Sequence, residues 1–178
     1  LCDKDGILVP GTPGQPSHHE ELAARTNPEK RTGTLAEALV GADVFIGVSR
    51  PGLVTGAMVE TMAKDPVILA MANPVPEIMP DMALAHGAAV VGTGRSDFPN
   101  QINNVLVFPG LFKGALSCGA VQITEGMKYA AAQALADMVA PEDLSPTCIL
   151  PSPLNRAAAD AVANAVAAEA RRTGHARF

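Results

Sequence analysis

Three apolar runs, each delivered straight into a polar loop, constrain this chain more than anything else in it. Asp43-Val44-Phe45-Ile46-Gly47-Val48 runs into Ser49-Arg50-Pro51-Gly52, and Val67-Ile68-Leu69-Ala70-Met71-Ala72 runs into Asn73-Pro74-Val75-Pro76-Glu77. The third, Ala88 to Val91, leads into Thr93-Gly94-Arg95-Ser96-Asp97 and a polar stretch that ends at Asn103-Asn104. Segments of helical length separate the runs, the pattern of βαβ units and a parallel sheet. Strands are expected at 43–48, 67–72 and 88–92, all three buried. Right-handed crossovers then put the three following loops on one edge, where open α/β sheets hold ligands.

A length of 178 residues suits one α/β domain with a proper core. The net charge of -5 argues against nonspecific nucleic-acid binding, which needs clustered Lys and Arg; only Arg171-Arg172 are clustered. The apolar fraction of 48% is broken by 16 Gly and 15 Pro, so no run approaches a membrane span, and a soluble protein is expected. Cys2, Cys118 and Cys148 include no close-spaced pair, which indicates neither a disulfide framework nor a zinc site and fits a reducing cytoplasm. No charged-then-apolar leader is visible. The opening Leu1-Cys2-Asp3 reads as the tail of a strand already under way, so a fragment of a longer polypeptide is expected.

Asp5-Gly6, between Leu1-Cys2 and Ile7-Leu8-Val9, favours a tight turn. Three Pro and two Gly make 10–16 a loop. Ser17 with Glu20, and Thr34 with Glu37, have capping-box spacing at the starts of two short helices. Further helices are expected over 55–63, 80–86 (ended by Gly87), 105–116, 124–138 and 155–173, the last two rich in Ala. Ile149-Leu150 is a candidate edge strand.

The Gly-x-Gly-x-x-Gly turn of a dinucleotide site is absent; Gly92-x-Gly94 lacks the third Gly. Were the chain to begin at the second strand, Asp3 would stand where an acidic residue meets the adenine ribose hydroxyls, although a solvated turn is the plain alternative. His18-His19-Glu20 lacks the spacing that puts two imidazoles on one helix face, His86 closes a helix, and Cys118 reads as a small buried hydrophobe. Asn73, held by Pro74 and Pro76, can donate to and accept from a carboxylate, hydroxyl or carboxamide. One of Asn103 and Asn104 is expected to cap a helix, but capping hardly explains the whole run of Arg95, Ser96, Asp97, Asn100, Gln101, Asn103 and Asn104. Ligand binding by this edge is the better reading.

Taken in order, Ala42-Asp43-Val44-Phe45-Ile46-Gly47-Val48-Ser49 with Pro51-Gly52, Ala70-Met71-Ala72-Asn73-Pro74 with Pro76-Glu77-Ile78, and Thr93-Gly94-Arg95-Ser96-Asp97 with Pro99-Asn100-Gln101-Ile102-Asn103-Asn104-Val105 and Phe108-Pro109-Gly110 resemble the nicotinamide-nucleotide-binding domain of bacterial malic enzymes. The resemblance covers nearly the whole chain. It implies an α/β fold with a Rossmann-like parallel sheet and flanking helices, without its first strand, followed by Ala-rich C-terminal helices. Residues 1–178 would be a partial dinucleotide-binding domain, with a Rossmann-like core over 1–140 and a C-terminal edge segment and helix over 141–178.

The activity implied is oxidative decarboxylation of L-malate to pyruvate and carbon dioxide, with NAD or NADP taking the hydride and Mg or Mn polarising a carbonyl. By the resemblance, Asp3, Ser49, Pro51, Gly52 and Asn73 face the cofactor, and Asn73, Asn103 and Asn104 the substrate. Asp3 leans towards NAD by repelling a 2'-phosphate, the adjacent Lys4 works against it, and the sequence leaves the choice between NAD and NADP open. The catalytic Tyr and Lys, the metal carboxylates and the glycine fingerprint belong to segments outside these residues. Tyr129 does not match the catalytic position, so no catalytic residue or metal ligand is assigned here. The expected partners are the missing N-terminal portion of the enzyme and a second copy in a homodimer. The competing readings are a related amino-acid or folate dehydrogenase domain, and a noncatalytic nucleotide-binding or oligomerisation module.

Overall fold

A computed structural model describes residues 1–178. The first turn forms a hairpin, β1 (Cys2–Asp3) and β2 (Gly6–Ile7), pairing Cys2 with Ile7 and Asp3 with Gly6. Gly6 holds φ +111°, and a Cβ there would lie 2.3 Å from the Gly33 carbonyl oxygen, so a side chain fails on both backbone and space. Helices α1 (Ser17–Thr26) and α2 (Leu35–Leu39) follow.

The capping box at α2 closes: the Thr34 hydroxyl accepts from Glu37 N–H at 3.3 Å, and the Glu37 carboxylate accepts from Thr34 N–H at 2.7 Å. The box expected at Ser17 does not form. Pro16 is the capping residue, Ser17 is the first helical residue, and no side chain caps the helix. The preceding loop brings its own donors, and Glu20 takes those instead: Gly11 N–H at 2.9 Å to each oxygen and Gln15 Nε2 at 2.9 Å.

The sheet is β3 (Val44–Gly47), β4 (Val67–Ala70) and β5 (Val90–Thr93), parallel throughout and in that order, with Val44 opposite Val67 and Val67 opposite Val90. The crossovers are α3 (Gly56–Glu60) and α4 (Pro80–Ala85). Phe45, Ile68, Ala70 and Val91 turn one face of the sheet onto Leu39, Val59, Met62 and Ala83 in a first apolar core. β5 starts two residues later than 88 because Ala88 N–H returns to the Ala83 carbonyl, closing α4, and Ala89 N–H goes to Pro66.

The expectation that all three strands are buried fails at β3. Its second face is bare, with Val44, Ile46 and Val48 exposed by 48%, 63% and 79%. A strand that is apolar on both faces is built to be covered on both.

After β5 the chain is helical: a 3-10 turn (Asn104–Leu106), α5 (Phe108–Ser117), α6 (Glu125–Ala136) and α7 (Ala157–Arg172). The single helix expected over 105–116 is divided at Val107, and Pro109 falls in the first turn of α5, where a missing N–H costs nothing. Leu106, Leu111, Met127, Leu135, Val162 and Val166 belong to a second apolar core among these helices. Ile149-Leu150 is not a strand. An isolated bridge joins Ser145 and Cys148, and Ile149 N–H donates to Asn100 Oδ1 at 3.0 Å rather than to a neighbouring strand. No helix is long and apolar enough to cross a membrane.

Candidate functional site

The parallel register sets the C-terminal ends of β3, β4 and β5 side by side, with Gly47 opposite Ala70 and Ala70 opposite Thr93. The loop after β3 carries Ser49, Pro51 and Gly52, all exposed; Gly52 turns at φ +65°. The loop after β4 carries exposed Asn73. The loop after β5 returns along its own strand, with Gln101 bridged to Thr93 and Ile102 N–H donating to the Thr93 carbonyl at 2.7 Å.

That return places Asn103 and Asn104 at the start of the helical half. Asn103 caps the 3-10 turn by accepting from Val105 N–H at 3.0 Å, which is the capping role expected for one of the pair. Its side-chain NH2 group stays available, and Asn104 is exposed.

Glu77, to which the sequence assigns no role, and Asn100, expected among the ligand-binding run but turned inward as a structural tie, hold these loops. Glu77 is fully buried, and its carboxylate accepts from Ser49 N–H at 2.7 Å and from Ala72 N–H at 3.0 Å. The signal was present, since a charged side chain enclosed by Pro76 and Ile78 is out of place unless something receives it. Asn100 is buried at φ +55° and donates to the Val91 and Pro146 carbonyls at 3.0 and 2.8 Å while accepting from Ile149. Nothing in its sequence context separates it from its polar neighbours.

Arg95 and Asp97 form a two-pronged ion pair, Nε to Oδ1 at 2.9 Å and Nη2 to Oδ2 at 2.7 Å. The guanidinium holds the Asp97 carboxyl below its ordinary value. Arg95 also lies over the Phe98 ring at 5.6 Å.

Asp3 and Ser49 share one cleft of about 720 Å³ that runs along the open side of β3 and is walled by the first hairpin and by Val44, Ile46 and Val48. His19 Nδ1 stands 3.5 Å from Asp3 Oδ2, and Lys4 N–H donates to Asp3 Oδ1. Pro51, Gly52, Asn73, Asn103 and Asn104 do not line this cleft; they belong to the loops at its strand ends. The cleft follows the unpaired edge of β3, which the resemblance leaves without its first strand, so the ligand-facing features are the loops at the strand ends together with the Asp3 carboxylate, whose chemistry fits ribose hydroxyls. No three His, Cys, Asp or Glu side chains come together to hold a metal, so no metal chemistry is derived from these residues. Tyr129 is exposed on α6.

A parallel α/β sheet whose polar loops gather at the carboxyl ends of its strands has the architecture of a nucleotide-binding domain. The chain belongs to the malic enzyme NAD-binding domain family: the family model described as "Malic enzyme, NAD binding domain" matches residues 1–171. It is 52% identical over 179 residues to the bifunctional malic/malolactic enzyme of Bacillus subtilis, covering 100% of this chain and 44% of that protein. With the NAD-dependent malic enzyme of Geobacillus stearothermophilus it shares 47% over 175 residues, 98% of this chain and 36% of the relative. The crystal structure of Entamoeba histolytica malic enzyme superposes with a TM-score of 0.91 at 39% identity, over 99% of this chain and 37% of the other. Relatives named for NADP occur beside those named for NAD. The chain thus spans less than half the length of these relatives.

Proposed function

We propose that these residues are the coenzyme-binding part of a malic enzyme that oxidatively decarboxylates L-malate to pyruvate and carbon dioxide. The observation that carries the reading is the family match over 1–171, joined to a fold that brings all three polar loops to one sheet edge. Asp3 receives the adenosine ribose, Ser49, Pro51 and Gly52 line the nicotinamide side, and Asn73 with Asn103 and Asn104 orients the malate carboxylate and hydroxyl. The bound nicotinamide supplies the hydride acceptor. NAD is the expected coenzyme, because the Asp3 carboxylate repels a 2'-phosphate; NADP use would require Lys4 to outweigh it.

The acid, base and Mg or Mn ligands come from polypeptide beyond these residues. The length of the relatives and the open side of β3 both support such a complement. Within 1–178, residues 1–140 carry the coenzyme-facing core and 141–178 close it, α7 packing on α5 and α6. A homodimer in the cytoplasm is the expected working form.

The test is malate-dependent reduction of NAD and NADP in the presence of Mn, with the full-length polypeptide carrying this domain and, separately, with the 178-residue chain. Turnover by the former with NAD preferred, and none by the latter, is expected. Glutamate or methylene-tetrahydrofolate replacing malate as the working substrate would overturn the reading, as would an active 178-residue chain.

A further inference from the structure

We infer that Glu77 is a positioning residue that sets the nicotinamide-side loop and the Asn73 loop relative to one another. The inference rests on the coenzyme-binding reading given above and adds to it a residue that touches neither ligand. Glu77 has no solvent exposure, and its two carboxylate oxygens are divided between two strand ends: Oε1 accepts from Ser49 N–H just past β3, and Oε2 from Ala72 N–H just past β4.

The backbone beside it makes a second pair of ties, Gly52 N–H to the Pro76 carbonyl at 3.2 Å and Val54 N–H to the Glu77 carbonyl at 3.0 Å. Four hydrogen bonds therefore fix residues 49–54 and 72 to one short segment, and the carboxylate provides the two nearest the strand ends. Space has been left for it as well. A Cβ on Gly47 would sit 2.5 Å from Glu77 Cδ, so the last residue of β3 has no room for a side chain.

A buried carboxylate with no cation against it is costly to desolvate, and an apolar residue would fill the same volume without that cost. What an apolar residue cannot do is receive two N–H groups from two different strands at once. Geometry of this kind matters most at a reacting centre, where a displacement of about 1 Å lowers rates about a hundredfold.

Glu77→Gln tests the arrangement with little change of shape. Its amide NH2 must face one of the two N–H donors, so one tie is lost and the other kept. Glu77→Ala loses both, and Gly47→Ala displaces the carboxylate without altering it. In the full-length polypeptide carrying this domain, each variant is compared with wild type for thermal midpoint, NADH dissociation constant by coenzyme fluorescence, and malate-dependent kcat and KM.

Glu77→Gln is expected to fold with a midpoint within a few degrees of wild type while coenzyme Kd and KM rise about tenfold; Glu77→Ala and Gly47→Ala, where they fold, move further in the same direction. A purely structural role would lower the folded fraction, scaling kcat but leaving Kd and KM unchanged. That result overturns the inference, as does a Glu77→Gln enzyme indistinguishable from wild type. A wild-type protein that neither binds NADH nor reduces coenzyme with malate overturns the functional reading itself, and the inference with it.

Discussion

Asn100 joins the two halves of the molecule through one side chain, which receives the Ile149 N–H and donates to Val91 at the sheet and Pro146 in the distant connection. Removing it leaves the buried Val91 carbonyl, and the part-buried Pro146 carbonyl and Ile149 N–H, without these partners. Asn100→Ala should therefore destabilise the chain by about 2–4 kcal/mol in urea unfolding. Its φ of +55° separates two contributions, because glycine tolerates that backbone and alanine does not. Asn100→Gly should lose about 1 kcal/mol less than Asn100→Ala; equal losses would show that the backbone conformation contributes nothing. The same residue marks a limit of sequence reading. Asn73, Asn100, Asn103 and Asn104 all stand in polar runs, but only the fold, by bringing residue 100 against 146 and 149, makes one of them a buried tie. Glu77 was more legible, since its apolar and proline neighbours leave an acid with nowhere to go but inward.

Elements were legible where local chemistry decides them. Strands β3 and β4 lie within their expected ranges because a short apolar run between turn residues has few alternatives, and α2 begins just after Thr34, its N-cap, because its capping box uses only its own residues. Ser17 shows the converse: a neighbouring loop offered Glu20 better donors, and a local pattern cannot reveal such a competitor. The close approach of α5 to α7 was equally hidden. It depends on Gly110 and Gly114, where a Cβ would stand 2.6 Å from the Ala159 carbonyl oxygen and 2.4 Å from that of Ala163. A glycine within a helix ordinarily gains about 1 kcal/mol on replacement by alanine. At Gly114 the clash is with backbone and the sign reverses, so Gly114→Ala should lose about 1–2 kcal/mol. Gly126 in α6 provides the control, because its nearest neighbour is the movable end of Glu169, and Gly126→Ala should be neutral or slightly stabilising. Thermal or urea denaturation of the two variants measures the contrast; equal effects would deny that α5 and α7 are in backbone contact.

At the scale of the molecule, the chain carries one apolar core on the inner face of the sheet and another among α5, α6 and α7, while the outer side of β3 stays bare. β3 is hydrogen-bonded to β4 alone, so its other edge offers unpaired N–H and C=O groups along with the exposed side chains of Val44, Ile46 and Val48. An apolar strand with an open edge is a template for pairing with another chain. The 178-residue chain should accordingly self-associate as its concentration rises, and sedimentation velocity would follow it. Ile46→Lys tests the cause: residue 46 points away from the core that holds Phe45, and a charge there opposes edge pairing without touching the buried face. The variant should remain monomeric at concentrations where the parent associates, with its thermal midpoint little changed. In the full-length polypeptide the outcome should invert, since a segment that covers β3 would have to bury the new lysine, and Ile46→Lys should then lower stability. Persistent association of the variant would move the sticky surface elsewhere, to the exposed line of Phe108, Phe112 and Leu116 on α5. An unaffected full-length protein would mean that nothing covers β3 at all, and that its open edge and apolar face meet solvent in the working enzyme as they do in these 178 residues.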